Sequence, residues 1–178
     1  MSHTRFQTAV ATTCKRYGPG RLPKASRRDI GAGYAMATAA AGATLAFVFV
    51  AWGLSVLGAP SGSDWALLAL FGVGALPLVV PTAFVSAVAV WRTLPADVPY
   101  FGAVAGLLST LGAYFLGLCV VFAFLVAPVV VAGQVEVAQL LEAAGFAVAI
   151  GFVAVASTIW VTVPVGVGSG CVHEAVTR

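Results

Sequence analysis

Residues 21–57 read RLPKASRRDIGAGYAMATAAAGATLAFVFVAWGLSVL, a basic leader that runs straight into a long apolar segment. From Gly33 to Leu57 this stretch contains no Asp, Glu, Lys, Arg or His. A helix that crosses a bilayer needs about 20 predominantly apolar residues, and the stretch supplies them. Three more uncharged apolar runs follow, at about 65–91, 100–126 and 143–166. The pattern predicts an all-α integral membrane protein with four transmembrane helices in a bundle. Residues 1–32 are then a basic cytoplasmic tail, 33–168 the transmembrane domain and 169–178 a short cytoplasmic tail.

Composition excludes the soluble alternatives. The chain of 178 residues is 61% hydrophobic and 8% charged, with a mean hydropathy of +1.03. A soluble domain carries about a quarter charged residues, enough to cover its surface with polar groups. Here the charges are too few for that, so lipid is the expected solvent for most of the surface. The four apolar runs leave no length for a separate soluble domain.

The charges that remain are placed asymmetrically. Seven of the nine Lys and Arg (Arg5, Lys15, Arg16, Arg21, Lys24, Arg27 and Arg28) precede the first run. Arg92 lies between the second and third runs, and Arg178 follows the fourth. Four passes bring all nine to one side, while Asp64, Glu136 and Glu142 fall on the other. Positive residues in short loops set orientation, with the positive side cytoplasmic. Both termini are therefore expected inside, in a cell (plasma) membrane. Tyr34, Trp91 and Tyr100 near one interface and Trp52 and Trp65 near the other agree with these boundaries, because amphipathic rings favour the headgroup level. Ser26-Arg27-Arg28-Asp29-Ile30 resembles a twin-arginine export motif, but three further spans are incompatible with a translocated soluble product. The basic leader is read instead as a juxtamembrane patch that meets anionic lipid.

Local signals set the connections. Gly58-Ala59-Pro60-Ser61-Gly62-Ser63-Asp64 is a turn, with Ser63 or Asp64 a natural N-cap for the second helix. Pro95 and Pro99 mark the second loop, and Pro128 is expected to end the third helix. Residues 133–142 are expected to be the third loop, with part of it helical as the alternative.

Between membrane helices, association rests on close backbone approach and polar contacts. In the third span Gly102, Gly106 and Thr110 follow at four-residue steps, with Ala113 and Gly117 continuing the ridge. Ala35, Ala39 and Ala43 are the expected stripe on the first span, and Ala143, Ala147 and Gly151 on the fourth. The second span is the irregular one. Pro77 and Pro81 each remove a backbone donor and free a carbonyl four residues back, at Val73 and Pro77. Either this is a static kink, or a hinge or broken helix of the sort that lines transport sites. Tyr114 sits mid-span and needs a partner for its hydroxyl, for which a freed carbonyl of the second span is one candidate. Val80-Pro81 with Ser86 matches Val163-Pro164 with Ser169 at an offset of 83 residues, a weak sign of two repeated hairpins.

The absences restrict function. With no Asp, Glu, Lys, Arg or His inside any span, a proton relay or sodium-coupled carrier lacks its usual intramembrane group. No phosphate-binding, dinucleotide, zinc-protease or nucleophile-elbow motif is present. His3, Cys14, Cys171 and His173 share one face and are metal-binding in kind, but their spacing fits no common zinc site. Cys119 reads as a small apolar residue. No cofactor, metal or nucleic acid is expected. The remaining expectation is a non-enzymatic accessory or scaffold subunit, whose partners are the bilayer and either another membrane protein or copies of itself. The alternative is a small uncoupled permeation protein with Pro77 and Pro81 at the pathway. A membrane enzyme would have to use Cys14, Asp97, Cys171, His173 and Glu174, which form no recognisable set.

Overall fold

A computed structural model describes Thr12 and residues 22–58, 64–95, 97–133 and 135–177. The described chain is all-helical in its regular structure. It contains α1 (Arg28–Val56), α2 (Trp65–Thr93), α3 (Phe101–Val131) and α4 (Val137–Thr177), each long and apolar enough to cross a membrane. They run up and down in chain order. Each packs on the next, and α4 closes the ring against α1. Sequence reasoning left this order open.

The helices outrun the apolar runs because capping, not hydropathy, decides where a helix stops. At 1.5 Å per residue, the 41 residues of α4 span about 60 Å, twice the hydrocarbon thickness. The stretch 133–142 is partly helical, with α4 beginning at Val137, and the expected polar tail after 168 is helical to Thr177. Pro128 does not end α3, which continues to Val131. Pro77, Pro81 and Pro164 likewise lie inside continuous helices. The stop signals of α1 and α3 are glycines, while α2 ends at Leu94, extended before Pro95. Gly58 (φ 62°) and Gly133 (φ 69°) take the left-handed conformation that ends α1 and α3, and their N–H groups donate to the carbonyls of Ser55 and Val130. Asp64 caps α2, its carboxylate accepting from the Leu67 N–H at 3.1 Å.

Burial is uneven along the bundle. The main apolar core joins Ala32, Met36, Ala87, Trp91, Phe101 and Ala105, all near the end where α1 and α3 begin and α2 and α4 finish. Toward the opposite end, Phe49, Trp52, Phe71, Phe124 and Phe152 are all exposed. On α1 the buried positions are Gly31, Ala32, Gly33, Met36, Ala37 and Ala51. The stripe expected at Ala35, Ala39 and Ala43 is only half-buried, one step off the contact face.

Candidate functional site

All described Lys and Arg residues (Lys24, Arg27, Arg28 and Arg92) gather at one end of the bundle, with Asp29, Asp97, His173 and Glu174. Asp64, Glu136 and Glu142 lie at the other. The charged residues of the described chain therefore sit at the helix ends, and the basic end holds the richer cluster.

At that end each helix contributes one member to a stack. The Trp91 ring of α2 meets Phe101 of α3 and His173 of α4 edge-on, each with centroids 4.9 Å apart. The Arg28 guanidinium of α1 lies 4.2 Å from the Phe101 centroid and 5.2 Å from that of Trp91, a cation–π contact. Phe101 is fully buried while its neighbour Tyr100, left-handed at φ 56°, is exposed.

Polar bonds tie the same four ends. His173 Nε2 is 3.0 Å from the Arg28 carbonyl, joining α4 to α1. Arg92 Nε donates to Asp29 at 2.6 Å, joining α2 to α1, and Arg27 approaches the same carboxylate at 3.4 Å. Glu174 accepts from the Gly102 N–H at 2.6 Å. That N–H belongs to the first turn of α3, where donors lack intrahelical partners. A carboxylate from α4 thus caps the positive end of the α3 dipole. His173 and Glu174 are not the free tail residues that their place near the C-terminus suggests. Each is half-buried and engaged by another helix.

From this clasp a seam descends between α3 and α4. Gly102, Gly106, Thr110 and Tyr114 follow at four-residue steps on α3, and Thr158, Thr162, Gly166, Gly170 and Glu174 do so on α4. Residues so spaced share one helix face. The two rows meet antiparallel in constant register. A Cβ on Gly102 would lie 2.7 Å from the Gly170 carbonyl oxygen, one on Gly106 would strike the Gly166 carbonyl, and one on Gly166 would strike Thr110 Oγ1. Further along, the Tyr114 hydroxyl is 2.6 Å from Thr158 Oγ1 and 2.7 Å from Thr162 Oγ1. Tyr114 therefore finds its partners on α4 and not at a freed carbonyl of α2. Removing that hydroxyl with Tyr114→Phe is expected to cost about 0.6 kcal/mol, the usual worth of an interhelical hydrogen bond in a membrane bundle. Thermal unfolding in detergent checks this.

The small-residue reading of the sequence found the α3 row but missed its partner. The α4 stripe expected at Ala143, Ala147 and Gly151 does make contact, with Ala147 buried and a Cβ on Gly151 only 2.9 Å from Leu118. The main α4 row lies at and beyond Gly166, where the apolar run was taken to end. The signal was present as Gly166-Val167-Gly168-Ser169-Gly170, with Thr162 and Glu174 one step to either side. Ala113 and Gly117 were expected to extend the α3 ridge, but a Cβ on Gly117 would meet nothing within 4 Å.

Between α2 and α3 the link is a buried Ser86 hydroxyl that donates to the Ser109 carbonyl at 2.8 Å, with Gly112 admitting the same side chain. Pro77 and Pro81 are exposed on the outer surface of α2, away from this contact. The Thr82 hydroxyl bonds the carbonyls of Leu78 and Val79, not those that the prolines free. Among the described residues no group of three His, Cys, Asp or Glu gathers to hold a metal, and His3 and Cys14 lie outside them.

Fold and site together define an apolar four-helix bundle compatible with a membrane, clasped at a basic end. Compared with protein-family models, curated proteins and solved structures, the chain matches none significantly.

Proposed function

We propose that this chain is a non-enzymatic subunit that acts by assembly within a cell membrane, with its basic end on the cytoplasmic side. One observation carries the reading. The half-buried ionisable groups of the basic end, Asp29, His173 and Glu174, are each engaged in holding one helix to another. Groups committed to a clasp support a structural role over a catalytic one. The wide apolar surface supports a role within lipid.

Purification of the tagged chain from native membrane in mild detergent, with particle mass and co-purifying proteins determined, tests the proposal. A stoichiometric membrane partner is the expected result. A clean homo-oligomer without partners would shift the weight to uncoupled permeation. Because Pro77 and Pro81 face outward, a pathway that used them would run between copies. Flux in proteoliposomes, lowered by Pro77→Ala or Pro81→Ala, is the test of that reading.

A further inference from the structure

On the outer surface of the bundle an open apolar groove of about 400 Å3 runs between α1 and α2, lined by Tyr34, Ala37, Val80, Pro81, Phe84 and Val85. Its walls lead directly to the basic end. On α1, Asp29, Gly33 and Ala37 follow at four-residue steps. On α2, Arg92, Val88, Phe84 and Val80 do the same. Each set shares one face, so the Asp29–Arg92 pair stands at the head of the groove. Phe84 and Val88 pack against Gly33, and the Tyr34 and Phe84 rings lie 5.0 Å apart, so the two rows stay in register between head and groove.

Charge and length both indicate what the groove accepts. Asp29 stands between Arg92 and Arg27, one carboxylate against two guanidiniums, so this trio at the head carries excess positive charge. The Arg92 and Arg27 side chains are 55% and 59% exposed, leaving guanidinium N–H groups free to meet a second anion. Guanidinium binds phosphate in a bidentate fork. From Arg92 to Pro81 is 11 residues, or about 16 Å of helix, close to half the thickness of the hydrocarbon core. A headgroup at Arg92 would therefore place its acyl chain along the groove within one leaflet.

We propose that this groove is a binding site for one anionic phospholipid, with the phosphate held by Arg92 and Arg27 and an acyl chain laid between Tyr34 and Val85. Basic pockets between membrane helices are a recurrent means of selecting anionic headgroups. The site differs from the general lipid-facing surface in joining a shaped apolar seat to a fixed pair of cations.

The full chain, delipidated in mild detergent, is titrated with phosphatidylglycerol or with phosphatidylcholine of the same acyl chains, and bound lipid is counted by native mass spectrometry. One phosphatidylglycerol should be retained in preference to phosphatidylcholine. Arg92→Gln should weaken that retention about fivefold, the usual effect of one basic residue near anionic lipid. Val85 is 53% exposed, so Val85→Trp fills the groove from outside without entering the core and should also displace the lipid. Arg27→Gln tests the same headgroup contact if Arg92→Gln does not fold. Equal retention of the two lipids, or full retention by Val85→Trp, would overturn the proposal. So would a lipid-free dimer broken by Val85→Trp, which would assign the groove to a second copy of the chain.

Discussion

Gly106→Leu is expected to destabilise the purified protein by about 3 kcal/mol, the upper part of the range for overpacking a filled contact. The reason is what surrounds this glycine. A Cβ there would collide with the Gly166 carbonyl and come within 3.0 Å of the Val167 Cα, both of them backbone. A flexible side chain could rotate away, but a helix backbone can yield only by moving α4. That movement would also disturb the neighbouring contacts, because Gly102 meets Gly170 and Thr110 meets Gly166 in the same register. Gly117→Leu is the matched control. It lies on the same helix, but a Cβ there meets nothing within 4 Å, and its effect should stay within about 0.5 kcal/mol. Unfolding of both variants by heat or denaturing detergent gives the comparison. A loss of similar size at the two positions would show a general cost of adding a large side chain to α3, not a seam specific to Gly106, since Gly→Leu by propensity alone favours the helix.

The second large effect is expected at Glu174. Its carboxylate caps the first turn of α3 from another helix, so Glu174→Ala leaves the Gly102 N–H without its acceptor at a half-buried site. A hydrogen bond to a charged group contributes about 1.5–3 kcal/mol, and loss of stability in that range is expected. Glu174→Gln keeps a carbonyl acceptor and should recover part of the loss, the remainder being the interaction of charge with the α3 dipole. Hydrogen exchange provides a local reading. The first amides of α3 should lose protection in Glu174→Ala while those in the middle of α2 keep theirs. Uniform loss across the bundle would argue against a local cap.

Much of the architecture is legible in residue order because a long apolar run follows a simple rule. With no water to bond the backbone, an apolar run of sufficient length is a helix. The four runs gave four helices on that ground, and Asp64 was visible as a cap because a carboxylate before an apolar run has a local task. What hydropathy could not show were the contacts that begin where it stops. His173 and Glu174 look like a polar tail when only the apolar run is followed, yet the helix continues and carries them onto α1 and α3. Gly166 and Gly170 were passed over for the same reason. Tyr114 was recognised as a hydroxyl in need of a partner, but which helix supplied one depended on the order of helices around the bundle. That order is a property of packing between distant segments and leaves little trace in any one of them. Pro77 and Pro81 mark an irregular helix from sequence alone, but the face they occupy emerges only with the neighbours in place.

The claim on which the rest depends is that the basic end of this bundle lies on the cytoplasmic side of a membrane crossed four times. Single-cysteine variants at Ser26 and at Ala132, both exposed, in a chain whose own cysteines are replaced by serine, place one thiol at each end of the bundle. They are labelled in intact cells with a membrane-impermeant thiol reagent, before and after permeabilisation. The expected result is that Ala132→Cys reacts in intact cells and Ser26→Cys only once the membrane is opened. Labelling of both from the same side would contradict the spanning bundle, and the reverse pattern would place the basic end outside.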